Sequence, residues 1–82
     1  MKHARADYNR IQDPANLIPE NEPVFLLRGQ DLCAPAAIEA WCKDAKYYGV
    51  DPKMIEMAQE HADRMRVYQI EINNKKPDLP QQ

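Results

Sequence analysis

Four side chains in this sequence could support metal or thiol chemistry: His3, Cys33, Cys42 and His61. Zinc sites usually draw cysteines from pairs two to four residues apart and histidines from pairs three to five apart, and neither spacing occurs here. The same four residues are the only material for a Cys–His nucleophile pair, and only the fold could bring them together. Structural thiols and an ordinary helix histidine account for them more simply. A glycine-rich phosphate loop is excluded, because the chain has only 2 glycines. The expectation is therefore a non-enzymatic protein with no metal and no cofactor.

A second group points to anion binding. His3, Arg5, Tyr8 and Arg10 lie close in sequence, and Arg28 closes a short apolar run. A guanidinium grips phosphate at two points, and a tyrosine ring can stack on a base or hydrogen-bond through its hydroxyl. Arg5, Tyr8, Arg10 and Arg28 form the candidate ligand site, and Tyr47 is a further candidate for partner contact. The competing expectation pairs Arg5 with Asp7 or Asp13 and Arg28 with Asp31, as surface ion pairs worth little. Residues 1–12 carry a net charge of +2, residues 13–60 a net −5 and residues 61–82 a net +1. A mildly acidic chain with a basic head is a poor general nucleic-acid binder. It could still hold one small anion.

Several elements must position these residues. Residues 3–12 can form a short helix with Ala4, Tyr8 and Ile11 on one side, ended by Asp13-Pro14. Residues 13–23 form a connector punctuated by Pro14, Pro19 and Pro23, with Leu17 and Ile18 as its anchors to the core. Val24 to Arg28 reads as the one short strand, bounded by Pro23 and Gly29. A lone strand leaves its backbone unpaired. Its partner is the head of the chain, a second copy across a two-fold axis, or none if the segment simply lies over the helices.

Pro35 opens a helix over 35–48. Ala34, Ile38, Trp41, Ala45 and Tyr48 make its apolar stripe, widened by Ala37 and Cys42. Glu39 and Lys43 pair at i,i+4 outside, and Gly49 ends the helix. Asp51-Pro52 starts a second helix, over 52–73, by capping and by proline at the first position. Its inner stripe is Ile55, Ala58, Ala62, Met65 and Ile72, flanked by Met54, Met57, His61 and Tyr68. The methionines could form an adaptable binding face, but their spacing among alanines reads as core. Lys53, Glu56, Glu60, Asp63 and Arg64 face outward. Residues 75–82 read as a flexible tail.

The short link predicts an antiparallel two-helix hairpin. The fold class is mainly α: this hairpin, a short N-terminal helix or arm and one short strand, in a single domain over 1–74. At 82 residues such a domain is marginal alone and needs staples or partners. Cys33 and Cys42 stand roughly 13 Å apart if both follow the helix rise, too far for a disulfide, so assembly as a homo-oligomer is the remaining support. Two unpaired thiols fit a reducing cytoplasm. No run reaches the length of a membrane span, and no apolar signal core follows Met1.

The stretch Arg5-Ala6-Asp7-Tyr8-Asn9-Arg10-Ile11-Gln12-Asp13-Pro14, then Ile18-Pro19 and Glu22-Pro23-Val24-Phe25-Leu26-Leu27-Arg28, resembles small proteins of phages and prophages. The resemblance extends through residues 34–48 and His61-Ala62-Asp63. That family carries no assigned activity. Short phage proteins of this kind often act against host defence, some as oligomeric sponges for nucleotide immune signals, an analogy of size, helical class and basic head. The resemblance implies a phage accessory protein that captures an anionic nucleotide second messenger between subunits. The alternatives are an inhibitor or adaptor binding a host protein through its acidic helix faces or strand edge, and a virion or assembly component.

Overall fold

Asp51 and Pro52 behave as their types predict. The Asp51 carboxylate accepts the Lys53 backbone N–H at 2.9 Å, and Pro52 occupies the first turn of a helix that needs no donor there. In the computed structural model, residues 1–9 and 13–79 are described. They fall into two compact units, one from Met1 to Leu27 together with the chain from Asp78, the other from Arg28 to Pro77.

In the first unit, strand β1 (Lys2–His3) pairs in parallel with strand β2 (Pro23–Val24), Lys2 opposite Pro23 and His3 opposite Val24. The Lys2 N–H donates to the Glu22 carbonyl at 2.8 Å and the Ala4 N–H to the Val24 carbonyl at 3.2 Å. The strand is therefore shorter than the 24–28 expected from sequence, and its partner is the head of the same chain. This corrects the helix expected over residues 3–12. Within its described part only a single 3-10 turn forms, Ala6–Tyr8, closed by Tyr8 N–H to Arg5 carbonyl at 3.0 Å. Pairing satisfies backbone groups that a short isolated helix leaves open at both ends. Arg10, Ile11 and Gln12 lie outside the described residues. In the connector, Asp13 accepts the Ile18 N–H at 2.8 Å, and Asn16 takes a left-handed φ of 52° that asparagine tolerates. Leu17, expected as a core anchor, is exposed, whereas Ile18 is half-buried.

The second unit holds helix α1 (Ala34–Tyr47) and helix α2 (Pro52–Glu71), packed against each other. Pro35 sits in the first turn of α1, and the Asp31 carboxylate accepts the Cys33 N–H at 2.7 Å just before it. Gly49, at φ 75°, ends α1 in a Schellman motif: its N–H donates to the Lys46 carbonyl, and the Val50 N–H to the Ala45 carbonyl at 3.0 Å.

Cys42, Ala45 and Ile55 form the buried cluster, with Ile38, Val50 and Ala58 packed on it. Ala34, Ala62 and Met65 are also buried. Ile55, Ala58, Ala62 and Met65 of the stripe expected on α2, and Ala34, Ile38, Cys42 and Ala45 of that on α1, are buried or half-buried as expected. Trp41 and Tyr48 on α1, and Met54, Met57 and Ile72 on the α2 side, are exposed rather than buried. Small side chains at the contact let the helices approach closely, so large neighbours are carried out to the flanks. Glu39 does not pair with Lys43, as the i,i+4 rule suggests; it pairs with Arg66 of α2.

The Gln69 side chain ties the segment before α1 to α2, donating to the Gly29 and Asp31 carbonyls at 3.0 and 2.8 Å. Lys75, expected to open the loose tail, is fastened to the same segment. Its N–H donates to the Gln30 carbonyl at 2.8 Å, and its carbonyl accepts from Leu32 at 3.1 Å. No helix among the described residues is long and apolar enough to cross a membrane.

Candidate functional site

The first candidate is the basic head. The Arg5 guanidinium is held in a fork by Asp7, Nε to Oδ1 at 3.0 Å and Nη2 to Oδ2 at 2.7 Å. Its Nη1 donates to the Asp78 carbonyl at 3.1 Å and lies 3.5 Å from that residue's carboxylate. One face of the guanidinium stacks on Tyr8, 4.6 Å from the ring centroid, and His3 meets Tyr8 edge-on at 6.4 Å. The hydrogen bonds that Arg5 donates to Asp7 raise its pKa above the ordinary value, helped by the nearby charges and opposed by desolvation. The head thus brings Arg5 and Tyr8 together as the anion-site reading requires, and fills the Arg5 fork with carboxylates from its own chain. A phosphate would have to displace Asp7 and Asp78. Both ring nitrogens of His3 are shielded and have no hydrogen-bond partner among the described residues.

Arg10 lies outside the described residues. Arg28 belongs to the helical unit, where its side chain is exposed and its carbonyl accepts the Asp31 N–H at 3.0 Å. Tyr47, at the end of α1, is 82% exposed and meets Tyr48 edge-to-face at 5.0 Å. Cys42 is buried between the helices, its thiol 3.7 Å from the Ile55 carbonyl, whereas Cys33 is exposed at the start of α1. Among the described residues no group of three His, Cys, Asp or Glu side chains converges as a metal site.

The second candidate is the pair of helix flanks. On one flank, Arg66 binds Glu39 through both guanidinium arms, Nη1 to Oε2 at 2.8 Å and Nη2 to Oε1. Gln59 bridges Glu39 and Asp63 at 3.1 and 3.2 Å. The two bonds to Glu39, that of Arg66 first, hold its carboxyl down at about 2 against an ordinary 4.5. This flank is polar and satisfied.

On α2, Met54, Met57, His61 and Tyr68 recur at helical spacing along another line, and Trp41 occupies a lateral position on α1. Trp41 is 41% exposed, Met57 68% and Tyr48 79%. A binding surface of methionines and aromatics is adaptable and gives large contact area per residue. Sequence periodicity assigned these residues to the core. The signal that could have found them is the run of small residues, Ala34, Cys42, Ala45, Ala58 and Ala62, which marks the real line of contact.

Compared with known protein families, with curated proteins and with solved structures, the chain matches none.

Proposed function

We propose that this chain is a non-enzymatic interaction protein, of the phage accessory kind that most of its sequence resembles, and that it binds other proteins as a homo-oligomer. The observation that carries this reading is the exposure of large apolar side chains in the helical unit. Alanines and Cys42 share the helix contact with Ile38, Ile55 and Met65, while Trp41, Tyr48, Met54 and Met57 stand outside.

We take α1 and α2 as an antiparallel hairpin. Three contacts support this: Glu39 meets Arg66, Glu39 meets Gln59, and Cys42 meets Ile55. The earlier α1 residue therefore meets the later positions of α2. At about 100° per residue, that arrangement turns Trp41 and Tyr48 toward the same side as Met54, Met57 and Tyr68. The Glu39–Arg66 network then faces the other side. One face is polar and closed, the other apolar and open. Exposed apolar patches of this extent mark interaction surfaces.

Capture of a nucleotide signal is the weaker reading, because Arg5 is already gripped by Asp7 and Asp78. A second protein has an entry point in the extended segment after β2. Phe25 is exposed, and no backbone–backbone hydrogen bond joins Phe25, Leu26 or Leu27 to other described residues. Such an edge accepts a strand from a partner. The test of the assembly is light scattering on the full chain over a range of concentrations. A mass of two or more chains is expected. A compact monomer that melts cooperatively at micromolar concentration would remove the reading.

A further inference from the structure

Four charged residues run along the border of the apolar face on α2: Lys53, Glu60, Arg64 and Glu71. At about 100° per residue they fall within roughly 40° of one another, on the side of the helix opposite Ala62. Met54, Met57, His61, Tyr68 and Ile72 lie beside them on the adjoining strip. Their order is plus, minus, plus, minus, and their spacing is symmetric about Ala62. Lys53 and Glu71 are each nine residues from it, Glu60 and Arg64 each two.

None of the four forms an ion pair among the described residues. Glu60 and Arg64 stand in the favourable i,i+4 order and still do not bridge. Glu39 and Arg66, on the other flank, do.

We infer that the apolar face is covered by a second copy of the chain, with α2 packed antiparallel on α2 about a two-fold axis level with Ala62. A two-fold axis reverses one helix against the other. It sets Lys53 opposite Glu71 of the partner subunit, and Glu60 opposite Arg64 of the partner subunit. Both pairs are attractive, and each occurs twice. A parallel two-fold pairing sets the charged border of each helix against the other border of its partner and forms neither pair, so the charge pattern favours the antiparallel arrangement. The same symmetry brings Met57 near Tyr68 of the partner subunit and His61 near its own counterpart.

The extent of the surface also fits. Trp41, Tyr48, Met54, Met57 and Tyr68, at the exposures they have, present on the order of 600 Å². A standard interface takes about 800 Å² from each partner. Two hairpins joined in this way make a four-helix bundle, an arrangement whose inner positions are filled from facing helices.

This inference rests on the association proposed above, and its test separates the two. Lys53 and Glu71 are about 27 Å apart along one helix, so they can meet only between chains. Self-association of the full chain is measured by sedimentation equilibrium at low salt for wild type, Lys53→Glu and Lys53→Glu/Glu71→Lys. The single variant, with like charges at both ends of the interface, is expected to weaken association about three- to tenfold. The double variant is expected to restore it to within about twofold. An unchanged single variant overturns the antiparallel register while association stands, as does a double variant worse than the single. A wild type that stays monomeric overturns association itself.

Cross-linking gives a second readout. In a Cys33→Ser background, His61→Cys is expected to form a disulfide dimer on mild oxidation, because its counterpart comes within bonding reach. Glu56→Cys, on the polar side of α2, is expected not to. Equal cross-linking of both, or of Glu56→Cys alone, contradicts the proposed face.

Discussion

Arg66 of α2 clasps Glu39 of α1 with both arms of its guanidinium, and Gln59 shares the same carboxylate. This is a polar tie between the two helices, and it gives Glu39 a partner other than its i,i+4 neighbour Lys43. Its consequence is a pH dependence of defined sign. The Glu39 carboxyl titrates at about 2 in the fold against 4.5 as an ordinary group. A depressed carboxyl contributes stability that is fully present above about pH 4.5 and is lost as the pH falls toward 2. Glu39 is solvent-accessible, so screening keeps the effect small. Thermal melts from pH 6 down to 2 should show a falling midpoint in wild type and a flatter profile in Glu39→Gln. Parallel profiles would show that the clasp adds nothing to stability.

Ala62 is fully buried where the helices meet. Enlarging it must separate them. Ala62→Leu should destabilise the fold by about 1–3 kcal/mol, the usual cost of overpacking, read as a lower denaturant midpoint. Ala40→Leu, at an exposed position on α1, should be close to neutral.

Gly49 holds φ 75° with open space around its Cα. Nothing blocks a methyl group there, so any penalty comes from backbone conformation alone. Gly49→Ala should cost about 1 kcal/mol. A substitution without effect would show that the turn after α1 tolerates another conformation.

Arg5 has its fork filled by Asp7. Cyclic and ADP-ribose-type nucleotides at millimolar concentration should leave the wild-type melting temperature unchanged, because a ligand stabilises only by binding the native state. A clear upward shift that disappears in Arg5→Ala would favour nucleotide capture over protein binding.

The helices and their ends were legible in the sequence for local reasons. Pro35, Gly49, Asp51 and Pro52 act through their own backbone preferences, and each sits where those preferences direct. The inner line of α2 was legible too, since Ile55, Ala58, Ala62 and Met65 pack inside as their spacing directs; the flanks beside each line were less so. Trp41, Tyr48, Met54 and Met57 share the periodicity of the buried residues, and hydrophobicity alone cannot tell a contact line from the flank beside it. The small residues decided it, since Ala45 and Ala62 let the backbones approach. The head was read as a helix because Ala4, Tyr8 and Ile11 fit one. The parallel pairing of Lys2–His3 with Pro23–Val24 is a long-range contact that local pattern does not encode. Of the candidate ligand residues, Arg5 and Tyr8 do meet. The occupation of Arg5 by Asp7 follows from their proximity in sequence, whereas that by Asp78 joins residues 73 positions apart.

The proposed self-association would cover apolar side chains of the helical unit that are exposed in a single chain. The most direct measurement is the melting midpoint of the full chain as a function of its own concentration, from about 1 to about 100 μM. If Trp41, Met54 and Met57 are buried by a second copy, mass action requires the midpoint to rise with concentration. A midpoint constant across that range, with a cooperative transition, would mean that one chain is stable with those side chains in water.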